Sequence, residues 1–282
     1  MSNVETRERE ALVSNKQTRS RGLARVDTGS KRMLEFDLVR GLCLLGMVFH
    51  HIINNVRYLY RIDMFGFQET DLFNYLLRPP FLIGFIMVSG LSSAFSRNQF
   101  KRAGRIALAA IVLQIAMAVF SQVQQANYYV IFNVLHVLAV SQFLYGLVEW
   151  FFRKRSQRSF LMALGVIAVL AVFAGYSLQE LNGDIANPLW GYFRLIMGAP
   201  YDHAIGMGDF MPLFPWLGVF FLGALLSHTV YNEKRTLLSD QAHQFVSRYL
   251  KPLVWMGQYP LWVYLLHQPI ILGVMYLLLG SP

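Results

Sequence analysis

The first apolar segment of the chain carries side chains that can bind anions or transfer protons: Asp37, Arg40, His50 and His51. On an α-helix, which turns by about 100° per residue, Arg40 and His51 lie about 20° apart. Asp37 falls about 60° from Arg40, and His50 falls about 80° to its side. A charge at the centre of a bilayer costs at least about 2.5 kcal/mol. The polar stripe formed by Asp37, Arg40 and His51 is therefore expected to have a structural or chemical role. An ion pair between Asp37 and Arg40 that anchors the helix end is the structural alternative to a chemical role.

Two further histidines are predicted to lie at the depth of His51. At about 1.5 Å per residue, His51, His136 and His267 fall within roughly one helical turn of a common level. Because polar groups in a membrane must find partners, we expect one shared polar chamber, to which Arg78 adds a cation. Histidine acts in such a chamber as a general base or a nucleophile. Each histidine alone is more simply explained as a hydrogen-bonded packing residue. No histidines are paired at i, i+4, and we predict no metal site.

The composition sets these residues in a membrane. Of the 282 residues, 55% are hydrophobic and 15% are charged. The apolar residues form runs of about twenty, the length of a membrane-spanning helix. The single cysteine, Cys43, excludes an intrachain disulfide. We therefore predict an all-α polytopic membrane helix bundle with about seven spans. These lie near 34–57, 73–96, 106–123, 130–151, 159–178, 212–231 and 253–279.

Basic residues are unevenly distributed between the two sides of this bundle. Of the 25 Lys and Arg residues, 20 fall in segments on one side, so the positive-inside rule places that side and the N-terminus in the cytoplasm. The basic excess reflects topology and attraction to anionic membrane lipid, and no nucleic-acid partner is expected. We divide the chain into a cytoplasmic basic tail, 1–33, and one transmembrane domain, 34–282. The basic segments are 1–33, 97–105, 152–158 and 232–252.

Two segments interrupt the alternation of spans and short loops. Residues 240–250 follow the capping candidate Ser239 and predict a short amphipathic helix on the cytoplasmic face. The long outer loop, 179–211, contains an aromatic run that includes Trp190. This run is either an interfacial anchor, because Trp favours the headgroup level, or a surface that binds an acceptor.

Five segments match the motifs of a known family in the right order. The first contains Asp-x-x-Arg-Gly, and in it ten residues separate Arg40 from His51. Together the segments resemble the heparan-alpha-glucosaminide N-acetyltransferase catalytic-domain family and its bacterial relatives. The spacing of Arg40 and His51 is also similar to that in related bacterial membrane O-acyltransferases. The resemblance covers almost all of 33–275. The five segments are 35–51, 85–90, 133–141, 215–223 and 257–269.

This resemblance implies a membrane acyltransferase. Such enzymes move an acetyl or other short acyl group from cytoplasmic acyl-CoA to an acceptor on the far side of the membrane, usually a sugar or glycoconjugate. It implies that His51 is the catalytic histidine and that Arg40 helps to place the donor. We predict His267 and Asp37 as further catalytic residues. The implied location is the bacterial cytoplasmic (inner) membrane, with multiple spans.

The phosphate groups of CoA favour the cationic side of the protein. We therefore predict that Arg40 binds acetyl-CoA together with three residues of the basic loops: Arg102, Arg105 and Lys154. The separation of Arg40 and His51 along the helix axis, about 16 Å, is comparable to the length of a pantetheine arm. Acceptor-binding residues are predicted on the other side: His136, Arg78 and Trp190.

Two other functions remain open at this stage. The first is a transporter whose polar stripe lines a translocation path, although the chain shows no internal repeat of the kind many transporters have. The second is a catalytically silent member of the family that serves as a scaffold or subunit. A homodimer is left open in either case. An assay of acyl-CoA hydrolysis or transfer separates these functions from an acyltransferase.

Overall fold

The computed structural model describes residues 33–124, 130–181, 187–202, 209–231 and 236–280. These described residues form ten α-helices and no strand, which confirms the predicted all-α membrane bundle. The predicted basic tail lies outside the described residues, apart from Met33. The helices are α1 (Leu34–Asn54), α2 (Arg78–Ser93), α3 (Gln99–Gln124), α4 (Val134–Phe152), α5 (Gln157–Gln179), α6 (Pro188–Met197), α7 (Trp216–Thr229), α8 (Asp240–Tyr249), α9 (Lys251–Gln258) and α10 (Pro260–Leu279).

Six helical segments in the described part of the chain are long and apolar enough to cross a membrane. The first two are extended by π-helical turns, Asn55–Leu59 after α1 and Leu72–Leu77 before α2. Such turns are irregular and often occur at functional sites. We call the end of the bundle that contains 55–77 the histidine end, and the end that contains 94–98 and 153–156 the basic end. The six segments are Leu34–Leu59, Leu72–Ser93, Gln99–Gln122, Val134–Phe152, Gln157–Gln179 and Pro260–Leu279.

The predicted span 212–231 is a shorter helix inside the bundle. α7 has 14 residues, or about 21 Å at 1.5 Å per residue, against about 30 Å for a bilayer core. Its side chains Phe220, Phe221 and Ala224 are almost fully buried. The backbone of α2 approaches it closely, because a Cβ atom on Gly90 would lie 2.0 Å from the carbonyl oxygen of Phe220. α7 is therefore packed against protein along most of its length.

The predicted last span, 253–279, is divided into two helices. α9 ends at Gln258 and α10 begins at Pro260, and Tyr259 between them has φ −117° and ψ 48°. Proline has no N–H to donate and disfavours the helical conformation of the residue before it. The break leaves the carbonyl of Gly257 available to a side chain of another helix.

Glycines allow α9 to cross α1 at very short distance. A Cβ atom on Gly257 would lie 1.7 Å from the carbonyl oxygen of Asp37, and one on Gly41 would lie 1.9 Å from that of Leu253. Only hydrogen fits at either position, as in small-residue contacts between membrane helices. This crossing places the carbonyl of Gly257 beside the guanidinium of Arg40.

α8 confirms the amphipathic helix predicted at the basic end. The hydroxyl of Ser239 accepts a hydrogen bond from the backbone N–H of Ala242 at 3.2 Å, which caps the helix as expected. Val246 is buried against α1 and α9, whereas Phe245 and Tyr249 are exposed. One face of α8 therefore packs on the bundle, and its aromatic side chains remain uncovered by protein.

Candidate active site

A cavity of about 570 Å³ lies at the basic end of the bundle. We call it the arginine cavity, because Arg40, Arg102 and Arg105 line it. Three cations around one space favour an anionic ligand. The other polar lining residues are Asp37, Ser89, Ser92, Ser96, Gln142, Gln258 and Tyr264.

Arg40 is held by groups from three helices. Its Nη1 atom donates to the carbonyl oxygen of Gly257 at 2.9 Å and to Oδ1 of Asp37 at 3.4 Å. Its Nη2 atom donates to the hydroxyl of Ser92 at 2.5 Å. Both Asp37 and Arg40 are buried, and a buried ion pair is costly unless further hydrogen bonds satisfy its atoms. The predicted ion pair is therefore present, and it fixes the guanidinium in the cavity wall.

Arg102 reaches the same wall from α3. Its Nη1 atom donates to the carbonyl oxygen of Ser92 at 2.8 Å, and Nη2 donates to that of Ser89 at 3.5 Å. Arg105 lies one helical turn further along and also lines the cavity. Lys154 is exposed in the turn after α4 and is not part of the lining. The structure thus brings three of the four predicted donor-binding residues together and leaves Lys154 apart.

A second cavity, of about 340 Å³, lies at the histidine end. We call it the histidine cavity, because His50 and His51 line it. Its other polar lining residues are Arg78, Asp209 and Tyr264. The remaining lining residues are apolar or glycine, so polar groups are few and can act in surroundings of low polarity.

The two cavities meet at Phe85 and Tyr264, which line both of them. Along α1 the lining changes from the arginine cavity to the histidine cavity between Arg40 and Cys43. Along α2 the change occurs at Phe85 itself. The cavities are therefore stacked along the bundle axis, with Phe85 and Tyr264 at their junction.

His51 and His267 lie side by side, with ring centroids 4.8 Å apart. The Nδ1 atom of His267 lies 2.6 Å from the carbonyl oxygen of Tyr264. A carbonyl only accepts, so Nδ1 carries the proton and Nε2 of the neutral ring carries a lone pair. That Nε2 atom is buried and has no hydrogen-bond partner. In this pair, His51 lines the cavity, and His267 beside it has a nitrogen, Nε2, that accepts no hydrogen bond.

His50 is engaged elsewhere. Its Nδ1 atom lies 2.8 Å from Nε2 of Gln68, and its Nε2 atom lies 3.2 Å from Nδ2 of Asn54. Its ring stacks on Phe73 at a centroid distance of 5.8 Å. Both nitrogens of His50 thus contact amide groups. His50 thus lies away from the face of α1 that carries Arg40, in agreement with its predicted angular offset.

Tyr264 and Asp209 form a contact that was not predicted from the sequence. The hydroxyl of Tyr264 donates to Oδ2 of Asp209 at 2.5 Å and accepts from Nδ2 of Asn133 at 3.4 Å. Asp209 is exposed as a whole residue, and its carboxyl group contacts the hydroxyl of Tyr264 and lines the histidine cavity. Burial raises the pKa of Asp209 above its usual 3.8, although the hydrogen bond from Tyr264 opposes this. Tyr264 precedes His267 by three residues, and that helical spacing is the signal that could have identified it.

The remaining predicted residues have different surroundings. His136 forms a capping box with Asn133, whose Oδ1 atom lies 2.9 Å from Nδ1 of His136. His136 and His267 are both outside the two cavity linings, but His267 packs against the cavity-lining ring of His51, so of the three histidines expected in one chamber the structure brings together His51 and His267 and leaves His136 apart. Trp190 is 55% exposed on α6, stacks on Phe193 and is also outside both linings. Among the residues that the structure describes, no group of three His, Cys, Asp or Glu side chains is arranged to hold a metal ion.

Comparison with known proteins identifies the family. A family model described as heparan-alpha-glucosaminide N-acetyltransferase, catalytic, matches residues 32–269. No curated protein and no solved structure matches the chain. The matched region covers most of the chain and includes every lining residue of both cavities. The chain therefore belongs to the heparan-alpha-glucosaminide N-acetyltransferase catalytic family, a family of membrane acetyltransferases.

Proposed function

We propose that this protein transfers an acetyl group from acetyl-CoA to a sugar or glycoconjugate acceptor across a bacterial cytoplasmic (inner) membrane. In this proposal the basic end and the N-terminus face the cytoplasm, and the histidine end faces the outer side. The distribution of Lys and Arg residues supports this orientation. One observation carries the proposal: in a chain of this family, an arginine-lined cavity and a histidine-lined cavity meet inside the bundle.

The arginine cavity is suited to the nucleotide part of the donor. Arg40, Arg102 and Arg105 present cations to the phosphate groups of CoA, and guanidinium groups bind phosphate oxygens well. Arg40 and His51 are about 16 Å apart along α1, a distance that an extended pantetheine arm can span. The thioester of a donor bound at the arginines would reach His51 through the junction at Phe85 and Tyr264.

His51 is the proposed catalytic base. It takes a proton from the acceptor hydroxyl or amine as the oxygen or nitrogen attacks the thioester carbonyl carbon. A new ester or amide bond forms, the carbon–sulfur bond breaks, and the proton passes to the sulfur of the departing CoA. His267 orients His51 or stabilises its positive charge, since its unprotonated Nε2 atom is buried behind it. Asp37 acts indirectly, because it holds Arg40 in place.

The experiment that tests this proposal measures the release of free CoA thiol from acetyl-CoA by purified protein in detergent. His51→Ala should lower turnover by about a hundredfold to ten-thousandfold, the usual cost of removing a proton-transferring group. Its affinity for CoA, measured by calorimetry, should be unchanged. His50→Ala is the matched control, and it should retain most of the activity because His50 contacts Gln68 and Asn54.

Three results would count against an enzyme that works in this way. Wild-type turnover in His51→Ala would exclude His51 as the base. Binding of CoA with no turnover by the wild-type protein would favour a silent scaffold. An acetyl group trapped on His51 without acceptor would replace the direct transfer with a route through an acyl-histidine.

A further inference from the structure

Apolar residues outnumber polar residues in the lining of the histidine cavity. Among the described residues that line it, five are polar and thirteen are apolar, glycine or cysteine. Among the apolar ones are the aromatic rings of Phe49, Phe67, Phe73 and Phe81. A free sugar in this space would lose water from its hydroxyl groups without gaining enough hydrogen bonds to compensate. A sugar that enters this space therefore needs a further source of binding free energy, such as an attached apolar chain that contacts the aromatic rings.

Three apolar lining residues of this cavity are also partly exposed. Phe49 of α1 is 52% exposed, Leu77 just before α2 is 47% exposed, and Phe81 in the first turn of α2 is 42% exposed. All three lie within the segments Leu34–Leu59 and Leu72–Ser93, which are long and apolar enough to cross a membrane. Exposed area at this position faces either the cavity or the acyl chains around the bundle. An apolar chain that enters from the membrane can therefore contact the same side chains that line the cavity.

One cation lies beside these apolar residues. Arg78 begins α2, is exposed, and lines the histidine cavity. At the same end of the bundle, Arg57 is paired with Glu69 and Asp63. Arg78 is in none of the ion pairs formed among the described residues, but Asp209 lines the same cavity and interacts electrostatically with it. The guanidinium group has several N–H donors, so it can bind an anionic ligand while it faces this carboxyl group. Phosphate is the anion that lipids present at this depth, and a guanidinium group binds it with charge-assisted hydrogen bonds.

The volume of the histidine cavity limits the size of the group that can lie between Arg78 and His51. A space of 340 Å³ is at the small end of the range for ligand cavities, about 300–1,000 Å³, and leaves room for one sugar-sized group beside the acetyl group. We propose that the acceptor is a lipid phosphate that carries its sugar into this cavity from the membrane. Its chain lies along Phe49, Leu77 and Phe81, its phosphate binds Arg78, and its sugar reaches His51. This inference rests on the proposed function, because it names the class of acceptor for the same site.

Binding of farnesyl phosphate is the direct test. The protein is reconstituted in nanodiscs that contain farnesyl phosphate, farnesol, or neither lipid with added inorganic phosphate, and bound ligand is quantified by native mass spectrometry. Farnesyl phosphate should bind the wild-type protein, and Arg78→Gln should bind it about tenfold more weakly. Arg78→Lys keeps the charge and should retain most of the binding. Arg61→Gln is the matched control, because Arg61 is exposed at the same end but lies outside the cavity lining.

Each outcome separates this inference from the proposed function. Equal binding of inorganic phosphate would identify a site for free phosphate, and equal binding of farnesol would show that Arg78 is not used. Either result overturns the inference, as does wild-type binding by Arg78→Gln. Farnesyl phosphate should also inhibit acetyl-CoA hydrolysis that depends on His51. Hydrolysis that depends on His51 but is unaffected by farnesyl phosphate would contradict the inference alone, whereas binding without such hydrolysis would contradict the proposed function.

Discussion

The arginine cavity and the histidine cavity differ in how their polar groups are satisfied. In the arginine cavity, Arg40 and Arg102 donate to backbone carbonyls on other helices, those of Gly257 and Ser92. Beside the histidine cavity, His267 packs against the lining residue His51, and its Nε2 atom is buried without a hydrogen-bond partner. A group that binds a ligand by its charge can be fixed by hydrogen bonds at rest. A group that must receive a proton or a hydrogen bond during the reaction has to keep a lone pair free, although this costs stability.

Because of this difference, the polar groups at the two ends of the bundle are suited to different functions. The basic end supplies rigid positive charge, and the histidine end supplies a small apolar space where few polar groups are free to react. The two environments adjoin at Phe85 and Tyr264, which line both cavities. A change at the basic end should therefore alter donor binding and stability, whereas a change at the histidine end should alter turnover and its dependence on pH. Four comparisons, each with its own control variant, test this division.

The largest effect is expected where α9 crosses α1. Gly257→Ala would place a Cβ atom 1.7 Å from the carbonyl oxygen of Asp37, so the two backbones must separate. Overpacking against backbone should lower the free energy of unfolding by at least about 3 kcal/mol. The guanidinium of Arg40 would also lose its bond to the Gly257 carbonyl, and the affinity for CoA should fall. Thermal unfolding in detergent and calorimetry with CoA measure the two effects.

Gly273→Ala is the matched control for this variant. Nothing lies within 4 Å of a Cβ atom on Gly273 in α10. The free energy of unfolding should stay the same or rise by up to about 1 kcal/mol, because alanine favours a helix over glycine. Equal losses of stability in the two variants would show that the crossing of α9 and α1 is not a tight contact.

A smaller effect is expected for the cations. Arg102→Gln removes one charge from the arginine cavity and should weaken CoA binding by roughly tenfold to a hundredfold, the range for hydrogen bonds to charged groups. Lys154→Gln should leave the affinity unchanged, because Lys154 is exposed and outside the lining. Calorimetry at low and high salt measures both affinities. If both variants weaken binding equally, the long-range field of the basic end, and not the cavity, attracts the donor.

Much of this architecture was predictable from the sequence. Apolar runs predict the helices because a membrane span has a fixed length, and the helical angle predicts that His50 and His51 have different neighbours. The serines at positions 89 and 92, which face the arginines, are also spaced at a helical interval and could have been identified. These features depend on residues that are close in the sequence, so a local pattern contains them.

Other features depend on contacts between distant segments. The crossing of α9 and α1 depends on glycines 216 residues apart, Gly41 and Gly257, and glycine has many roles that one sequence cannot distinguish. Asp209 lies in a loop without periodicity, so nothing in the sequence associates it with Tyr264. His136 was grouped with the other histidines by depth alone. The depth of a residue in a span does not show which way its side chain points, and the side chain of His136 caps its own helix.

Variants at His267 and His136 compare the two histidines that were grouped with His51. His267→Asn keeps an N–H that can donate to the carbonyl of Tyr264 but removes the lone pair of Nε2. It should lower kcat by about tenfold, less than His51→Ala, with an unchanged KM for acetyl-CoA. His267→Gln keeps an acceptor near the Nε2 position and should restore part of the loss.

His136→Gln is the control for these variants. Glutamine is favoured at the third position of a capping box, so the bond to the backbone N–H of Asn133 can be kept. Turnover should be unchanged. A loss of turnover as large as that in His267→Asn would mean that His136 reaches the reacting groups, contrary to its position as a cap.

The smallest expected effect concerns Asp209, whose pKa is raised above its usual 3.8 by burial. In the unfolded chain this carboxyl group ionises near its usual value, and in the folded protein it ionises at a higher pH. Between the two values unfolding releases a proton, so stability falls as pH rises through this window.

Asp209→Asn cannot ionise and should remove that part of the pH dependence, whereas Asn in place of the exposed Asp202 should leave it intact. Thermal unfolding midpoints in detergent, measured from pH 3.8 upward, give the slopes. Identical slopes for wild type and Asp209→Asn would show that Asp209 titrates as an ordinary carboxyl group. The contact with Tyr264 would then contribute nothing to the difference between the two cavities.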